Sequence, residues 1–349
     1  MTRDNIFIQR CIYLAGKGKG LLETNPMVGC VIVYNDKIIA EGYHKEYGGP
    51  HAEVNAINKL KDKEILKHSI LYVNLEPCSH VGKTPPCADL IISMKIPKVI
   101  IGNIDPNNLV AGRGIKKLKS AGVEVVSGIL NNECKELNKR FFTFHNLKRP
   151  YIILKWAQSL DGFIGNKKDS YKDSKPVWIT NENLRTLVHK WRAEEQSIMI
   201  GTNTALLDNP QLNTRNWTGK NPIRIVCDRL LRLPENLYVF DGKISTIILT
   251  AKNIKNKNSK NLEYINIDFE NNFVKQVCDI LFEKNIQSLF VEGGAKLHQT
   301  FINSNKWDEA RVFTGNINLY QGVQAPIIKG NIVSEGLFNN DRLTIYKNI

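Results

Sequence analysis

No apolar run in this chain approaches the ~20 residues that a helix needs to cross a bilayer. The opening residues Met1-Thr2-Arg3-Asp4-Asn5 carry an acid early and lack the apolar core of a secretory leader. A cytoplasmic location without a membrane partner is therefore expected. A disulfide framework is missing too. The seven cysteines (Cys11, Cys30, Cys78, Cys87, Cys134, Cys227, Cys278) are odd in number and scattered, as free and often buried thiols are. No segment repeats, no G-x-G-x-x-G fingerprint follows a strand pattern, and no basic run interleaves the aromatics of a single-strand binder. Acids fall short of bases, 34 against 48, for a net charge of +14. That excess suits an anionic partner, whether nucleic acid or a phosphorylated small molecule, and equally a shell of solvated lysines.

What is present reads as an ordinary globular chain. Its 349 residues, 42% hydrophobic and 23% charged, suffice for two domains with real cores. Apolar residues at helical spacing open the chain over 5–16. A hairpin follows around Asn35-Asp36, flanked by 28–33 and 37–40. Helical patterns from His51, Cys87 and Gly112 alternate with strand patterns at 70–75, 98–101 and 123–126. A single amphipathic helix is expected over about 131–143. The polar segment His145–Pro150 separates this region from a second alternation of strands (151–156, 197–200, 221–227, 246–249, 289–291) and helices (181–193, about 271–284). The stretch 252–261 reads as a surface loop. The fold class is α/β, in two domains over 1–145 and 150–349.

The first domain carries a metal-ligand set. His51, Cys78 and Cys87 supply the nitrogen and sulfur that tetrahedral zinc takes, with a fourth position left for water. Each lies beside an expected helix start, where partial positive charge favours the thiolate. Glu53, two residues after His51, points to the same pocket without ligating. Its expected role is to move a proton from the attacking water to departing ammonia. His-x-Glu followed by Pro-Cys and a second cysteine is the zinc-deaminase arrangement. Here eight residues, rather than two, separate the cysteines.

With that longer spacing, TNPMVGCV (24–31), GGPHAEVNAI (48–57), LEPCSHVGKTPPC (75–87) and DPNNLVAGRG (105–114) resemble the deaminase half of bifunctional riboflavin-biosynthesis enzymes. The resemblance implies a cytidine-deaminase-like three-layer α/β/α domain. In it Asn25, His44, Lys83, Thr84, Asp105 and Asn107 would contact the pyrimidine or its ribose phosphate. Amides and carboxylates suit a pyrimidinone edge, and Lys83 suits a phosphate. Val81, Lys83 and Asn108 depart from the family's frequent residues.

In the second domain, unaided reading finds two strand–glycine–helix junctions, at Gly201-Thr202 and Gly293-Gly294, which either bind phosphate through backbone amides or merely turn the chain. KWAQSLDGFIG (155–165), WITNENLRTLVHKWRA (178–193), IGTNTALLDNPQLNTR (200–215) and VEGGAKLHQTFI (291–302) resemble the reductase half of the same enzymes. That half is dihydrofolate-reductase-like and uses NADPH. The resemblance places Ala157, Trp178, Thr204, Asp208 and the run Gly294, Ala295, Lys296, Leu297, His298, Gln299 and Thr300 along the cofactor cleft. Arg192, Leu212 and Arg215 would hold the substrate, with Lys155 and Glu292 near the hydride-transfer centre. Pro176 and Arg229 depart from the family's small hydroxyl residues. The expected cofactors are Zn2+ and NADPH, the expected partner is a phosphorylated pyrimidine rather than a nucleic acid, and a homo-oligomer is expected. The rival reading is a nucleic-acid base deaminase whose basic second half is a binding module.

Overall fold

Strand residues in the first half alternate between two hydrophobic surfaces, so the sheet they form must be covered on both faces. The structure, a computed structural model, describes residues 2–80, 85–107, 110–166, 178–254 and 258–349. The chain divides into two compact units, Met1–Lys148 and Arg149–Ile349. No helix among the described residues is long and apolar enough to cross a membrane.

The first unit opens with helix α1 (Arg3–Gly16), capped by the Thr2 side chain on the Asn5 N–H. Strands β1 (Gly29–Tyr34) and β2 (Lys37–Tyr43) form a hairpin whose turn residues Asn35 and Asp36 both take positive φ. There follow α2 (Ala52–Ile57), β3 (Ile70–Leu75), α3 (Cys87–Ser93), β4 (Lys98–Asn103), α4 (Arg113–Ser120), β5 (Glu124–Ser127), α5 (Asn131–Leu137) and α6 (Lys139–Leu147). The sheet order is β2-β1-β3-β4-β5, antiparallel at β1 and parallel from β3 onward. Cys30, Ile32, Leu71, Val73, Val99 and Ile101 face one core with residues of α2, α3 and α4. Val31, Val33, Tyr72 and Ile100 face the other with α1. The period of two thus builds a three-layer sandwich.

Two local expectations differ. The single helix over 131–143 is two helices broken at Asn138, whose φ of −101° and ψ of 24° leave the helical path. The buried Asn138 amide pairs instead with Met27, accepting from its N–H at 2.7 Å and donating to its carbonyl at 2.9 Å. Helix α6 also runs on through His145–Leu147, anchored by buried Phe141, Phe142 and Phe144, and ends at Lys148 in the left-handed region.

The second unit contains β6 (Tyr151–Gln158), α7 (Glu182–Glu194), β7 (Ser197–Ile200), α8 (Thr202–Asp208), β8 (Ile223–Cys227), β9 (Thr246–Thr250), β10 (Leu262–Asn266), α9 (Phe273–Glu283), β11 (Ser288–Val291), α10 (Ala295–Asn303), β12 (Glu309–Thr314), β13 (Asn331–Phe338) and β14 (Asp341–Lys347). Its sheet order is β10-β9-β8-β7-β11-β6-β12-β14-β13. Pairing is parallel as far as β12 and antiparallel beyond it. Strands β6, β7 and β11 are buried on both faces. Ile152, Leu154 and Met199 join the core with α9 and α10, and Tyr151, Ile153 and Ile198 the core with α7. The chain leaves β6, skips a place to β7 and later returns with β11 between them. Crevices at the carboxyl ends of strands, where the order reverses in this way, are where open α/β sheets bind ligands.

Candidate functional site

In the first unit, three elements deliver the ligand set. His51 is the N-cap of α2, Cys78 lies beyond the end of β3, and Cys87 is the first residue of α3. The His51 Nδ1 atom is 3.5 Å from Cys78 Sγ and 3.3 Å from Cys87 Sγ, and all three donor atoms lie within 4.8 Å of one another. A tetrahedral zinc with Zn–S of about 2.3 Å and Zn–N of about 2.0 Å separates N from S by roughly 3.5 Å, so the residues fit that ion. Cys78 Sγ accepts the Cys87 backbone N–H at 3.3 Å, the first amide of α3. The Cys87 thiol, then His51 and this amide, pull Cys78 down to about 4. The Cys78 sulfur in turn pushes Cys87 up, and burial adds to it. The site thus favours the thiolate at Cys78, the sulfur that the α3 amide faces. Glu53 is buried at the first turn of α2, and burial lifts its carboxyl above the usual range, opposed by His51.

Around this centre, His44 donates Nδ1–H to the Pro50 carbonyl at 3.0 Å, because that carbonyl can only accept. Its Nε2 then accepts from the Asn25 amide at 3.0 Å, which fixes which way that amide faces. The Asn25 segment is itself held by Asn138 and by Asn74, which accepts the Gly29 N–H at 2.7 Å and donates to Met27. Asp105 follows β4, and its carboxylate accepts the Asn107 N–H at 2.7 Å. Burial, aided by Glu76 and Cys78, raises Asp105 to about 7. Lys83 and Thr84, with Val81 and Asn108, lie outside the described residues.

In the second unit, Glu292 follows β11 and gathers two cations. Arg192 donates Nε at 2.9 Å and lies 2.7 Å away through Nη2, and Lys155 approaches at 3.4 Å. Burial lowers Lys155, with Glu292 opposing, while Arg192 and Lys155 together hold Glu292 below the usual carboxylate range against its burial. Arg192 also donates to the Asn213 carbonyl at 3.1 Å, the same oxygen that accepts His189 Nδ1–H at 2.8 Å. Arg215 donates to the Asn213 side chain at 3.0 Å. Leu212, buried at a φ of 51°, belongs to the same loop.

Thr204 of α8 and the Gly293-Gly294 turn meet beyond the carboxyl ends of β7 and β11. A Cβ on Gly293 would lie 2.7 Å from the Thr204 methyl, and Gly294 turns with a φ of 81°. Helix α10 starts there with its first N–H groups unpaired within the helix. This is a backbone cradle of the kind that takes a phosphate, so the residues fit a nucleotide cofactor. Further along the expected run, Leu297, His298, Gln299 and Thr300 have partners within the fold. Leu297 and His298 are buried, and His298 Nε2 bonds to the carbonyls of Lys155 and Val291. Gln299 reaches Asn303 and Ile327, and Thr300 bonds back to Lys296. Ala157 is half-buried on β6, and Asp208 ends α8. Trp178 is exposed beneath the Arg185 guanidinium, 4.2 Å from its ring centre. Arg229 pairs with Glu270 on the surface, and Pro176 lies outside the described residues.

Arg224, His189 and Asn213 were not expected at the site. Arg224 is 1% exposed and clamps the 209–215 loop. It donates twice to the Gln211 carbonyl, at 3.0 and 2.7 Å, and at 2.8 Å to both the Tyr238 carbonyl and Asp241. The available signal was one arginine inside the apolar run Ile223–Cys227.

Comparison with known proteins matches both units. Residues 150–340 match the family described as RibD C-terminal domain. Residues 1–103 match the cytidine and deoxycytidylate deaminase zinc-binding region. The riboflavin biosynthesis protein RibD of Actinobacillus pleuropneumoniae is 42% identical over 309 residues, covering 86% of this chain and 80% of that protein. The protein of that name from Bacillus amyloliquefaciens is 37% identical, covering 99% of this chain and 91% of its own. A crystal structure of a diaminohydroxyphosphoribosylaminopyrimidine deaminase/5-amino-6-(5-phosphoribosylamino)uracil reductase from Thermotoga maritima is similar with a TM-score of 0.89. The two share 34% identity, over 99% of each chain.

Two outcomes follow from this geometry. Cys87→Ser should lose stoichiometric zinc, measured by metal analysis of the purified chain; unchanged zinc content would exclude Cys87 as a ligand. Burial, then Arg192 and Arg215, depresses His189 to about 4 from its ordinary 6.5. The unfolded chain therefore binds this proton first. The stability His189 contributes is complete above about pH 6.5 and is lost as pH falls toward 4. The stability difference between wild type and His189→Gln, from denaturant unfolding at pH 7 and pH 5, should shrink at the lower pH. Parallel pH profiles would refute the assignment.

Proposed function

The chain belongs to the RibD family of riboflavin-biosynthesis proteins, bifunctional deaminase–reductases, and from that premise we propose that its two units perform the two steps named for the Thermotoga maritima relative. The first unit hydrolytically deaminates 2,5-diamino-6-(5-phosphoribosylamino)pyrimidin-4-one. The second reduces the ribosyl chain of the product to give 5-amino-6-(5-phosphoribitylamino)uracil. The observation that carries this reading is the convergence of His51, Cys78 and Cys87 within 4.8 Å beside the buried Glu53.

Zinc held by His51, Cys78 and Cys87 supplies Lewis-acid activation of water. Glu53, lifted by burial, takes the proton from the attacking water at a carboxylate oxygen and returns it to the departing amine. Asn25, oriented by His44, reads the pyrimidine edge together with Asp105 and Asn107, while Lys83 and Thr84 meet the phosphate.

In the second unit NADPH supplies the hydride. The α10 amides after Gly293-Gly294 would hold its phosphates, and Thr204, Ala157, Trp178 and Asp208 would line its cleft. Reduction places hydride on the ribosyl anomeric carbon and a proton on the ring oxygen it releases. Lys155 Nζ supplies that proton, made more acidic by burial and held in place by Glu292. Arg192 and Arg215 take the substrate phosphate with donors that Glu292 and Asn213 leave free.

The positive charge steers this phosphorylated pyrimidine, with no nucleic-acid partner. The cytoplasm suits seven free cysteines, two of them metal ligands. We further propose a homo-oligomer. Strand β13 ends its sheet with Ile332 56%, Val333 51% and Leu337 75% exposed, an apolar edge of the kind that proteins cover. Light scattering should give a mass above one chain, reduced by Leu337→Lys; a monomeric wild type would refute the proposal.

A coupled assay tests the two activities. With the diaminopyrimidine phosphate, ammonia release should occur without NADPH, and NADPH oxidation only after it. Glu53→Gln should keep zinc and lose roughly 100-fold or more in deamination. Arg192→Ala should spare deamination and weaken reduction by roughly 10–100-fold. An active Glu53→Gln variant would remove the proton-transfer assignment, and equal loss of both activities in Arg192→Ala would indicate misfolding.

A further inference from the structure

Glu76 stands where β3 ends and the segment carrying Cys78 begins. It is 4% exposed. Its own N–H donates to the Asn103 carbonyl at 2.9 Å, at the end of β4. Its carboxylate accepts four backbone N–H groups from another stretch of chain. Asp105 at 3.3 Å and Gly112 at 2.9 Å reach Oε2, and Gly114 at 2.9 Å and Ile115 at 3.1 Å reach Oε1. These donors are the start of the loop that carries Asp105 and Asn107, and the N-cap and first turn of the eight-residue helix α4.

The two glycines of the Gly112-Arg113-Gly114 run fit this arrangement. Gly112 turns the chain with a φ of 73° so that its N–H meets the carboxylate. A Cβ on Gly114 would lie 2.1 Å from the Pro77 carbonyl and 3.2 Å from Glu76 Oε1, so only glycine lets the helix end come this close. One side chain therefore joins the Cys78 segment to both ends of the Asp105–Gly112 loop.

We propose that Glu76 is a positioning residue of the deaminase site, setting the Asp105–Asn107 loop at its working distance from the metal ligands and so tuning affinity for the pyrimidine. This inference rests on the deaminase reading above. The carboxylate acts through the loop and touches no substrate. Two oxygens, each accepting two N–H groups, are what the geometry demands. A glutamine of the same shape turns one acceptor into a donor that faces two N–H groups.

The test is a split of kinetic constants. Glu76→Gln should keep stoichiometric zinc and a kcat within about twofold of wild type. Its KM for the diaminopyrimidine phosphate should rise about tenfold or more, the scale of lost support around a metal site. A residue that merely stabilised the domain would lower the active fraction, and so kcat, with KM unchanged. Gly114→Ala, which leaves Glu76 intact but forces α4 away from it, should raise KM in the same sense. If Glu76→Gln fails to hold zinc, the split is read on Glu76→Asp, which keeps the charge and both acceptors at shorter reach. Unchanged KM in the zinc-holding variants, or loss confined to kcat, overturns the proposal. Absence of ammonia release by the wild type overturns the deaminase reading instead. NADPH oxidation with 5-amino-6-(5-phosphoribosylamino)uracil serves as the concentration control in every preparation.

Discussion

A charged group taken out of water must be met by partners, and both units of this chain are arranged around that requirement. In the first, Glu76 is met by four backbone amides and Cys78 by the first amide of α3. In the second, Glu292 is met by Arg192 and Lys155, Arg224 by two carbonyls and Asp241, and Glu309 by Arg311 and Tyr151. Glu76, Cys78, Glu292 and Arg224 connect elements to the loops beside them, whereas Glu309, Arg311 and Tyr151 join neighbouring strands. Apolar packing fixes the sheets, and buried charge fixes the segments that approach the ligands.

The two units share this division of labour at the carboxyl ends of parallel strands. Cys78 and Asp105 follow adjacent parallel strands β3 and β4. Glu292 and the Gly201 junction follow adjacent parallel strands β11 and β7. In each case a rigid, doubly covered sheet sets the spacing and a loop supplies the chemistry. The first site gathers amides and carboxylates, Asn25, Asp105 and Asn107, near its metal-ligand set. The second surrounds its carboxylate with basic groups, as recognition of a phosphate requires.

Much of this was legible in the sequence, for reasons particular to each element. The strands of the first unit announce themselves because alternate residues serve different cores. The ligand set announces itself through residue type and order. What escaped depends on contacts distant in sequence. Nothing local tells that Asn138 breaks a helix, because its partner Met27 lies 111 residues away. Glu76 reads as part of Glu-Pro-Cys, since its donors lie up to 39 residues further on. Strand β12 is hard to read from the sequence because Glu309 and Arg311 interrupt its apolar pattern; in the fold they pair with each other, and Tyr151 also donates to Glu309. Strand β13 was overlooked because its apolar residues face outward.

The bond between Asn138 and Met27 also bears on synthesis. His51, Cys78 and Cys87 emerge early, whereas Asn138, which pins the Asn25 segment, is among the last residues of its unit to leave the ribosome. Domains fold as units from the N-terminal side while the chain is being made. A nascent chain therefore secures the segment beside Asn25 only after Asn138 has emerged.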